Sequence, residues 1–509
     1  MNYMIAQLLN LINYSILSQE KGLDQRIDEA FQPVSDTFSE LVFFSVGDYP
    51  FVIYLLVGSA LFFTLVFLFP NIRYFATAIN VVRGKYDNLE KTESDSKDGE
   101  VSHFQALATA VSGTVGNGNI AGVALAIALG GPGATFWMIV CGLIGMSTKF
   151  VECTLGVHYR DVDKDGVVYG GPMYYLTKGL KERGFEKLGK VAAVIFAICC
   201  IGGSFGGGNA AQSNQAAIVL KDLLGYDSTF AGAMIGLILA ILVGIIIIGG
   251  IKRIASVTEK VVPFMALLYI IACLYIIGSN FGFIDDAFKL IITEAFNPTA
   301  IGVGGTISVL MIGFQRAAFS NEAGAGSASI AHSAVKTKYA ASEGLVALLE
   351  PFIDTVVICT MTALVIIIFN FSGAFMYGGE GGVMIDGVLY EGAGITAKAF
   401  DQYIPGSEYF LTTAVVLFAV STMISWSYYG IQSWKYLFGK GKVADLVYKF
   451  MFLVFIVIGS AASMNSIWAF SDAMIFAMVF PNMIGLYFLF PVVREQLNKY
   501  LKVIREAKV

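Results

Sequence analysis

Charged residues are scarce in this chain. Lys, Arg, Asp and Glu make up only 14% of its 509 residues, compared with about 25% in ordinary soluble domains. Hydrophobic residues reach 56%, and apolar runs of about twenty residues, the length that crosses a bilayer, recur along the chain. The composition therefore predicts an all-α polytopic membrane protein without a soluble domain of any size.

Histidine and cysteine are also rare, with three and six copies. His103, His158 and His332 lie at predicted helix ends and form no metal-ligand cluster. The cysteines fall inside apolar spans without CxxC spacing, which is typical of small core residues. They are Cys141, Cys153, Cys199, Cys200, Cys273 and Cys359. A membrane-embedded enzyme is disfavoured, and we expect no cofactor, no nucleic acid and no obligatory protein partner.

One stretch, residues 109–129, lies where a membrane helix is expected but is rich in helix-disrupting residues. Asn117 and Asn119 alternate there with glycines. The glycines are Gly113, Gly116, Gly118 and Gly122. Each interior glycine costs about 1 kcal/mol relative to alanine, and unpaired backbone groups are tolerated in a membrane only where they face protein or water. The pattern predicts a broken helix.

A broken helix exposes backbone groups that bind ions. Its free N–H groups favour a carboxylate, and its free carbonyl groups suit Na⁺.

Two alternatives exist for this stretch. Gly116, Gly118 and Ala121 fit a dinucleotide-binding fingerprint, but no strand precedes them. Alternatively, the glycines only allow close helix packing.

A second interruption, at 319–327, makes the packing alternative weaker. We count about eleven spans: one leading span and two sets of five, each set beginning with the broken helix. Such a pair is typical of an inverted-repeat transporter.

The predicted segments are an extracytoplasmic segment at 1–48 with an apolar patch at 4–16, an extra helix and cytoplasmic linker at 49–102, repeats at 103–280 and 300–490, and a basic tail at 491–509.

Positive charge concentrates on one side of these spans. If the linker before His103 is cytoplasmic, the loops rich in Lys and Arg are all cytoplasmic, in agreement with the positive-inside rule. We therefore expect a cell-membrane protein with its N-terminus outside and its C-terminus in the cytoplasm. The outer segment 372–407, with a helical pattern at 395–403, is a candidate external lid.

Five separated motifs follow in order: SGTVGNGNIAGVALAIALGGPGA, GGPMYYL, GGGNAAQSN, FSNEAGAGSASIAH and SWSYYG. Together they resemble the alanine or glycine:cation symporter family, from about residue 51 to the C-terminus. The resemblance implies the LeuT-type five-plus-five inverted repeat with one extra N-terminal helix. It also implies import of small neutral amino acids with Na⁺ as the coupling ion.

The resemblance implies roles for particular residues. The backbone N–H groups of Asn117 and Gly118 would bind the substrate carboxylate, and Asn119 is a possible ligand of a second Na⁺. Phe319, Ser320 and Asn321 would supply carbonyl groups and a hydrophobic wall. The main Na⁺ ligands would be the Ser112, Val115 and Phe418 carbonyls with the Ser421 and Thr422 hydroxyls.

Gln212 and Trp426 complete the expected pocket. The Gln212 amide would orient a zwitterion, although Gln212 and Asn209 are also suited to joining helices. Trp426, one turn beyond Thr422, would limit the pocket to glycine- or alanine-sized side chains. Aromatic residues at membrane interfaces are the alternative interpretation.

Charges within the spans are costly and are usually paired or functional. Lys149 and Glu152, three residues apart, are expected to form a local ion pair. An inner-gate ion network, or a static structural one, is expected from four residues around the second break. They are Arg316, Glu322, Glu350 and Asp354.

The sequence thus favours a sodium-coupled symporter that works by alternating access. A proton-coupled carrier of another small solute is the nearest alternative, because three carboxylates lie near the second break. An ion channel, the alternative of another class, needs a continuous polar path instead of two broken helices.

Overall fold

We analysed a computed structural model of the chain. It describes residues 23–90, 99–226, 228, 230–297, 305–379 and 381–507. The apolar patch expected at residues 4–16 lies outside the described residues.

The described chain is almost entirely helical. The first part contains α1 Leu23–Val42, α2 Phe51–Val66, α3 Pro70–Arg73, α4 Phe75–Val82, α5 Asp87–Glu90, α6 His103–Thr114, α7 Ala121–Gly130, α8 Gly133–His158, α9 Pro172–Glu182, α10 Glu186–Phe205, α11 Ala211–Leu224, α12 Ala231–Ile247, α13 Gly250–Ser279 and α14 Ile284–Phe296. The second part contains α15 Gly305–Asn321, α16 Ala328–His332, α17 Ala340–Ala347, α18 Leu349–Pro351, α19 Thr360–Asn370, α20 Ala393–Tyr403, α21 Ser407–Phe438, α22 Lys442–Ala461 and α23 Met464–Glu506.

Strands form only short antiparallel hairpins among the described residues. Ser45–Val46 pairs with Tyr49–Pro50, Asp161–Val162 with Val168–Tyr169, and Gly382–Ile385 with Val388–Glu391. The last hairpin and α20 belong to the segment expected as an external lid. The helix predicted there at 395–403 is confirmed as α20, whereas the hairpin before it was not predicted.

Seven continuous helices of the described chain are long and apolar enough to cross a membrane, and the bent pair α6 and α7 makes an eighth candidate. The seven are Gly133–His158, Glu186–Leu224, Gly250–Ser279, Ala340–Asn370, Ser407–Phe438, Lys442–Ala461 and Met464–Glu506. Two of these, Glu186–Leu224 and Ala340–Asn370, each contain a π-helical stretch, at Gly206–Ala210 and Phe352–Cys359. Such stretches are frequent at functional sites.

Burial divides the helices into a central and a peripheral group. The residues of the first break, 112–121, are all buried. By contrast, only 28% of the apolar windows of α13 and α22 is buried inside the protein. The broken helix therefore lies in the interior, where its freed backbone groups meet other polar groups instead of lipid.

Candidate functional site

The first break is held open by side chains that replace helical hydrogen bonds. Helix α6 ends at Thr114, a 3₁₀ turn covers Asn117–Asn119, and the two halves of the helix meet at a 56° bend. The Asn119 side chain accepts a hydrogen bond from the Gly116 N–H at 2.9 Å, and Gln212 Oε1 accepts one from the Asn117 N–H at 3.0 Å. Amide side chains thus satisfy backbone groups that would otherwise be unpaired.

The second break follows α15 and depends on unusual backbone conformations. Glu322 has a φ of +54° and Gly324 a φ of +99°, both in the left-handed region that ordinary residues avoid. The Asn321 side chain stabilises the turn, because it accepts from the Ala323 N–H at 3.0 Å and donates to Thr355 at 2.9 Å. Asn321, a predicted pocket residue, therefore holds the shape of the break.

A small cavity lies where the two breaks meet. Its volume, measured as the space open to the centre of a water molecule, is about 10 Å³, which is room for one water. Its lining residues are Gly113, Thr114, Gly118, Gly207, Gln212, Phe319, Ser320, Glu322, Trp426 and Ile475. The structure thus brings Gly118, Gln212, Phe319, Ser320 and Trp426 together around one space.

Asn117 and Gln212 form the polar wall of this region. Besides the backbone contact, the Asn117 side chain donates to the Gln212 carbonyl at 3.1 Å, and the Gln212 side chain donates to the Gly207 carbonyl at 2.9 Å. Asn117 Oδ1 is buried without a hydrogen-bond partner within the described part of the chain. A buried acceptor of this kind is costly unless a ligand satisfies it, so it marks a place for a donor such as an ammonium group.

The predicted sodium ligands cluster between α6 and α21. The Ser112 hydroxyl donates to the Ser421 carbonyl at 2.7 Å, and the Thr422 hydroxyl donates to the Ser112 carbonyl at 2.9 Å. Phe418 joins this group, because its carbonyl accepts the Ser421 hydroxyl at 2.9 Å. Val115 lies at the end of α6, next to Gly116, whose Cα faces Thr422. These uncharged oxygen atoms are the ligand type that hard cations prefer.

Asn119 belongs to a separate polar cluster. Its side chain donates to the Asp354 carboxylate at 2.7 Å, and the Ser320 hydroxyl donates to the same carboxylate at 2.9 Å. Thr355 donates to it as well, at 2.7 Å. Asp354 was predicted to join a gate network with Arg316, Glu322 and Glu350. Instead, its partners among the described residues are hydroxyl and amide groups at the breaks.

Arg316 has a different charged partner from the residues it was grouped with. It forms an ion pair with Asp472 of α23, which also accepts from Gln315 at 3.1 Å. Its guanidinium group lies over the rings of Phe319 and Trp468, whose centroids are 5.7 and 5.6 Å away. Those rings are stacked, with centroids 5.0 Å apart. In this structure Arg316 therefore pairs with Asp472, and the four residues do not form one ion network among the described residues.

Lys149 also has a partner other than the expected one. Its ammonium group pairs with Glu350 at 2.9 Å, whereas the Glu152 carboxylate accepts from Asn482 at 2.7 Å. Both residues of the pair are fully buried. Helix α8 packs against the helical segment 340–370, and this packing brings Lys149 to Glu350.

The Lys149–Glu350 pair continues into a row of alternating acids and bases. Glu350 lies 3.5 Å from His332, His332 contacts Glu343 at 2.5 Å, and Glu343 also contacts His103. The row ends at Glu90, which contacts His103 at 2.8 Å. It therefore joins the linker before α6 to the centre of the bundle.

Glu90 lies outside the spanning helices and receives several donors. Burial by itself raises its pKa, but the interactions with His103, Thr337 and Tyr500 outweigh burial and hold the pKa of Glu90 below its usual value of 4.5. The hydroxyl groups of Thr337 and Tyr500 each donate to it at 2.6 Å. Glu90 is therefore ionised at neutral pH and ties α5 to the C-terminal helix.

Several of these residues were missed at the sequence level. Asp472 lies inside an apolar span, and an ionisable residue in that position is itself a signal of function or pairing. His103 and His332 were set aside because they form no metal-ligand pattern. Glu343, whose carboxylate joins the two histidines, gave no signal, because its neighbours in sequence are small or apolar.

Comparisons with known proteins agree with this architecture. A family model described as the sodium:alanine symporter family matches residues 32–509. The chain is 40% identical over 461 residues to the sodium/alanine symporter AgcS of Methanococcus maripaludis, covering 90% of this chain and 96% of that protein. It is 34% identical over 459 residues to the probable sodium/glutamine symporter GlnT of Bacillus subtilis, covering 90% and 89%.

A further relative and a solved structure extend the comparison. The putative sodium/proton-dependent alanine carrier protein YrbD of Bacillus subtilis is 35% identical over 445 residues, covering 86% of this chain and 87% of that protein. A crystal structure of the Eremococcus coleocola manganese transporter matches 78% of this chain and 82% of its own, with a TM-score of 0.50 and 14% identity. That likeness concerns the fold alone, which is the LeuT type.

Proposed function

Because the chain belongs to the sodium:alanine symporter family, we propose that it imports alanine and glycine together with sodium ions. The chain is a multi-pass membrane transporter, coupled to a cation, that carries amino acids; it is not an enzyme. Alanine and glycine as substrates, the residues that bind them, and the direction of transport are the proposal. The geometry at the two breaks supports the proposed binding residues.

The contact between Thr422 and Ser112 supports the proposal most directly. A cation bound by these oxygens and by those of Val115, Phe418 and Ser421 joins α6 to α21 and thereby ties the first half of the chain to the second. Its binding favours the closed arrangement of the two halves. The inward sodium gradient then drives transport, because cation and substrate stabilise the same state and each raises the affinity of the other.

The substrate occupies the cavity between the breaks. The Gln212 side chain, which accepts from the Asn117 N–H in this structure, turns towards the ligand. The N–H groups of Asn117 and Gly118 then bind the substrate carboxylate. Asn117 Oδ1 and the Ser320 carbonyl accept hydrogen bonds from its ammonium group. Phe319 and Trp426 surround the side chain. A cavity with room for about one water must expand to admit any amino acid, and the required expansion is smallest for glycine and alanine.

In the proposed arrangement eleven helices span the membrane. They are the seven long apolar helices, the broken pair and the shorter α2, α12 and α15. In the proposed arrangement α2 is the extra helix, and two inverted repeats occupy 103–280 and 300–490. The basic loops and the tail from 491 are cytoplasmic, which places the N-terminus outside. Alternating access then moves the repeats against each other around the central site.

In this orientation the charged pairs lie on opposite sides of the site. Arg316 precedes Phe319 on α15, which is the outer half of the second broken helix, so the Arg316–Asp472 pair and the Phe319–Trp468 stack close the outer path. The Lys149–Glu350 pair lies on the inner side and continues to Glu90. An outer and an inner gate that open in turn are what alternating access requires.

Proton coupling is the second candidate. Asp354 is buried, and its described partners carry no positive charge, so a proton is an alternative to a cation beside it. Binding of radiolabelled alanine to the purified protein in NaCl or choline chloride, at pH 6 and pH 8, distinguishes the two. We expect binding that requires sodium at either pH. Binding in choline chloride at pH 6 would favour the proton.

A further inference from the structure

Glu322 has an unusual position in the second break. It is buried, has a left-handed backbone conformation, and lines the cavity. One carboxylate oxygen accepts from the Trp426 indole N–H at 2.9 Å, and the other accepts from the Ser327 hydroxyl. Because an indole N–H only donates, the Trp426 ring needs an acceptor at this position, and the Glu322 carboxyl group supplies it.

The Trp426 ring is packed on its other sides by small residues and by Tyr429. A Cβ at Gly203 would meet the ring at 3.3 Å, and one at Gly208 would collide with it. The Tyr429 ring centroid is 5.3 Å away. The glycines leave room for the ring at this position. The hydrogen bond to Glu322 fixes the direction in which the indole N–H points, because Glu322 is the hydrogen-bond partner of the indole in the described structure.

We propose that Glu322 is a positioning residue that sets the largest amino-acid side chain the pocket accepts, by holding the Trp426 indole against the cavity. The inference rests on the proposed function, because it concerns the same pocket. Through this position of the indole, Glu322 excludes α-amino acids whose side chain is longer than a methyl group. Without the carboxylate, the indole moves into other orientations and leaves room for another carbon or oxygen atom.

Three single variants, a control variant and a double variant test this role. Glu322→Ala removes the acceptor and Trp426→Phe removes the donor, whereas Glu322→Gln keeps an acceptor oxygen without the charge. Trp434→Phe is the matched control on the same helix, because the Trp434 indole N–H has no hydrogen-bond partner in the described part of the chain. The readout is the ratio of the Kd values of L-2-aminobutyrate and L-alanine, measured by competition with radiolabelled alanine in NaCl.

The expected result is a pattern across the variants. Glu322→Ala and Trp426→Phe each lower the ratio by about tenfold, within the range that one methylene contributes to selectivity. The double variant Glu322→Ala/Trp426→Phe lowers it no further, because both changes remove the same bond. Glu322→Gln stays closer to the parent than Glu322→Ala does, and Trp434→Phe retains the parental ratio.

Two results would overturn the inference. One is a Kd ratio in Trp426→Phe that equals that of the parent protein. This result is informative even if Glu322→Ala does not fold. The other is loss of alanine binding in Glu322→Ala and Glu322→Gln while Trp426→Phe still binds alanine, because the carboxylate would then contact the substrate itself. Failure of the proposed function is distinct from both, since the parent protein would then not bind alanine in NaCl.

Discussion

The Thr422 hydroxyl donates to the Ser112 carbonyl across 2.9 Å, and the Ser112 hydroxyl donates to the carbonyl of the neighbouring Ser421. These reciprocal bonds join residues more than 300 positions apart in the chain. They connect a helix that is broken at the centre of the protein to one that is continuous. The geometry of a site built from both helices depends on the relative position of the two halves of the chain.

Thr422→Ala tests the cation site. Loss of one oxygen ligand is expected to raise the half-saturating sodium concentration for alanine binding by about tenfold, since one charge-assisted contact contributes about 1.5–3 kcal/mol. Thr413→Ala is the matched control, because the Thr413 hydroxyl bonds only to Tyr409 of the same helix. An unchanged sodium dependence in Thr422→Ala would remove Thr422 from the cation site.

Gln212→Ala tests the substrate site. The side chain satisfies the Asn117 N–H and borders the cavity, so its loss is expected to weaken alanine binding by about tenfold or more. Gln402→Ala, on the exposed face of α20, serves as the control, and isothermal titration calorimetry gives both affinities. Parental affinity in a folded Gln212→Ala protein would show that the pocket lies elsewhere.

Arg316→Met tests the buried Arg316–Asp472 pair. The unpaired Asp472 carboxylate is expected to cost about 3–5 kcal/mol of stability, whereas Arg316→Met/Asp472→Leu recovers most of the loss. Lys190→Met, which breaks an exposed pair with Glu186, should change the melting temperature little. Because the pair is proposed as a gate, the double variant is also expected to release alanine faster to the outside. If the double variant remained as unstable as the single one, the pair would not account for the effect.

Glu90→Gln tests the Glu90 end of the row of alternating acids and bases. The pKa of Glu90 is lower in the folded protein than its usual 4.5, so the ionised group stabilises the fold above about pH 4.5, and the contribution is lost as the pH falls through the folded-state pKa. Glu90→Gln is therefore expected to lower the melting temperature at pH 7, with a smaller difference from the parent near pH 4. A difference that grew on acidification would contradict this assignment.

The sequence was informative where the signal is local. Hydropathy located the helices, and the glycines around Asn117 predicted the first break, because interior glycine is costly in a helix unless the backbone departs from it. The family resemblance grouped Phe418, Ser421 and Thr422, which the structure places together beside Ser112. Such patterns depend on neighbours in the chain, so a single sequence contains them.

Long-range partners could not be predicted in the same way. Lys149 pairs with Glu350 instead of the nearby Glu152, and Arg316 pairs with Asp472 on the last helix. Helix packing brings these charges together, and each would be unstable in the membrane without its partner. The spacing of charges along one helix says nothing about which helix lies opposite. The gate network was therefore the least reliable part of the predicted site.

Uptake of radiolabelled alanine into proteoliposomes is the most direct test of the central claim. The purified protein would be reconstituted and given an inward sodium gradient, an inward proton gradient with potassium on both sides, or no gradient. We expect accumulation of alanine above equilibrium only with the sodium gradient, and inhibition by excess glycine. Accumulation driven by the proton gradient without sodium, or no uptake of alanine in any condition by protein that is folded, would contradict sodium-coupled alanine import.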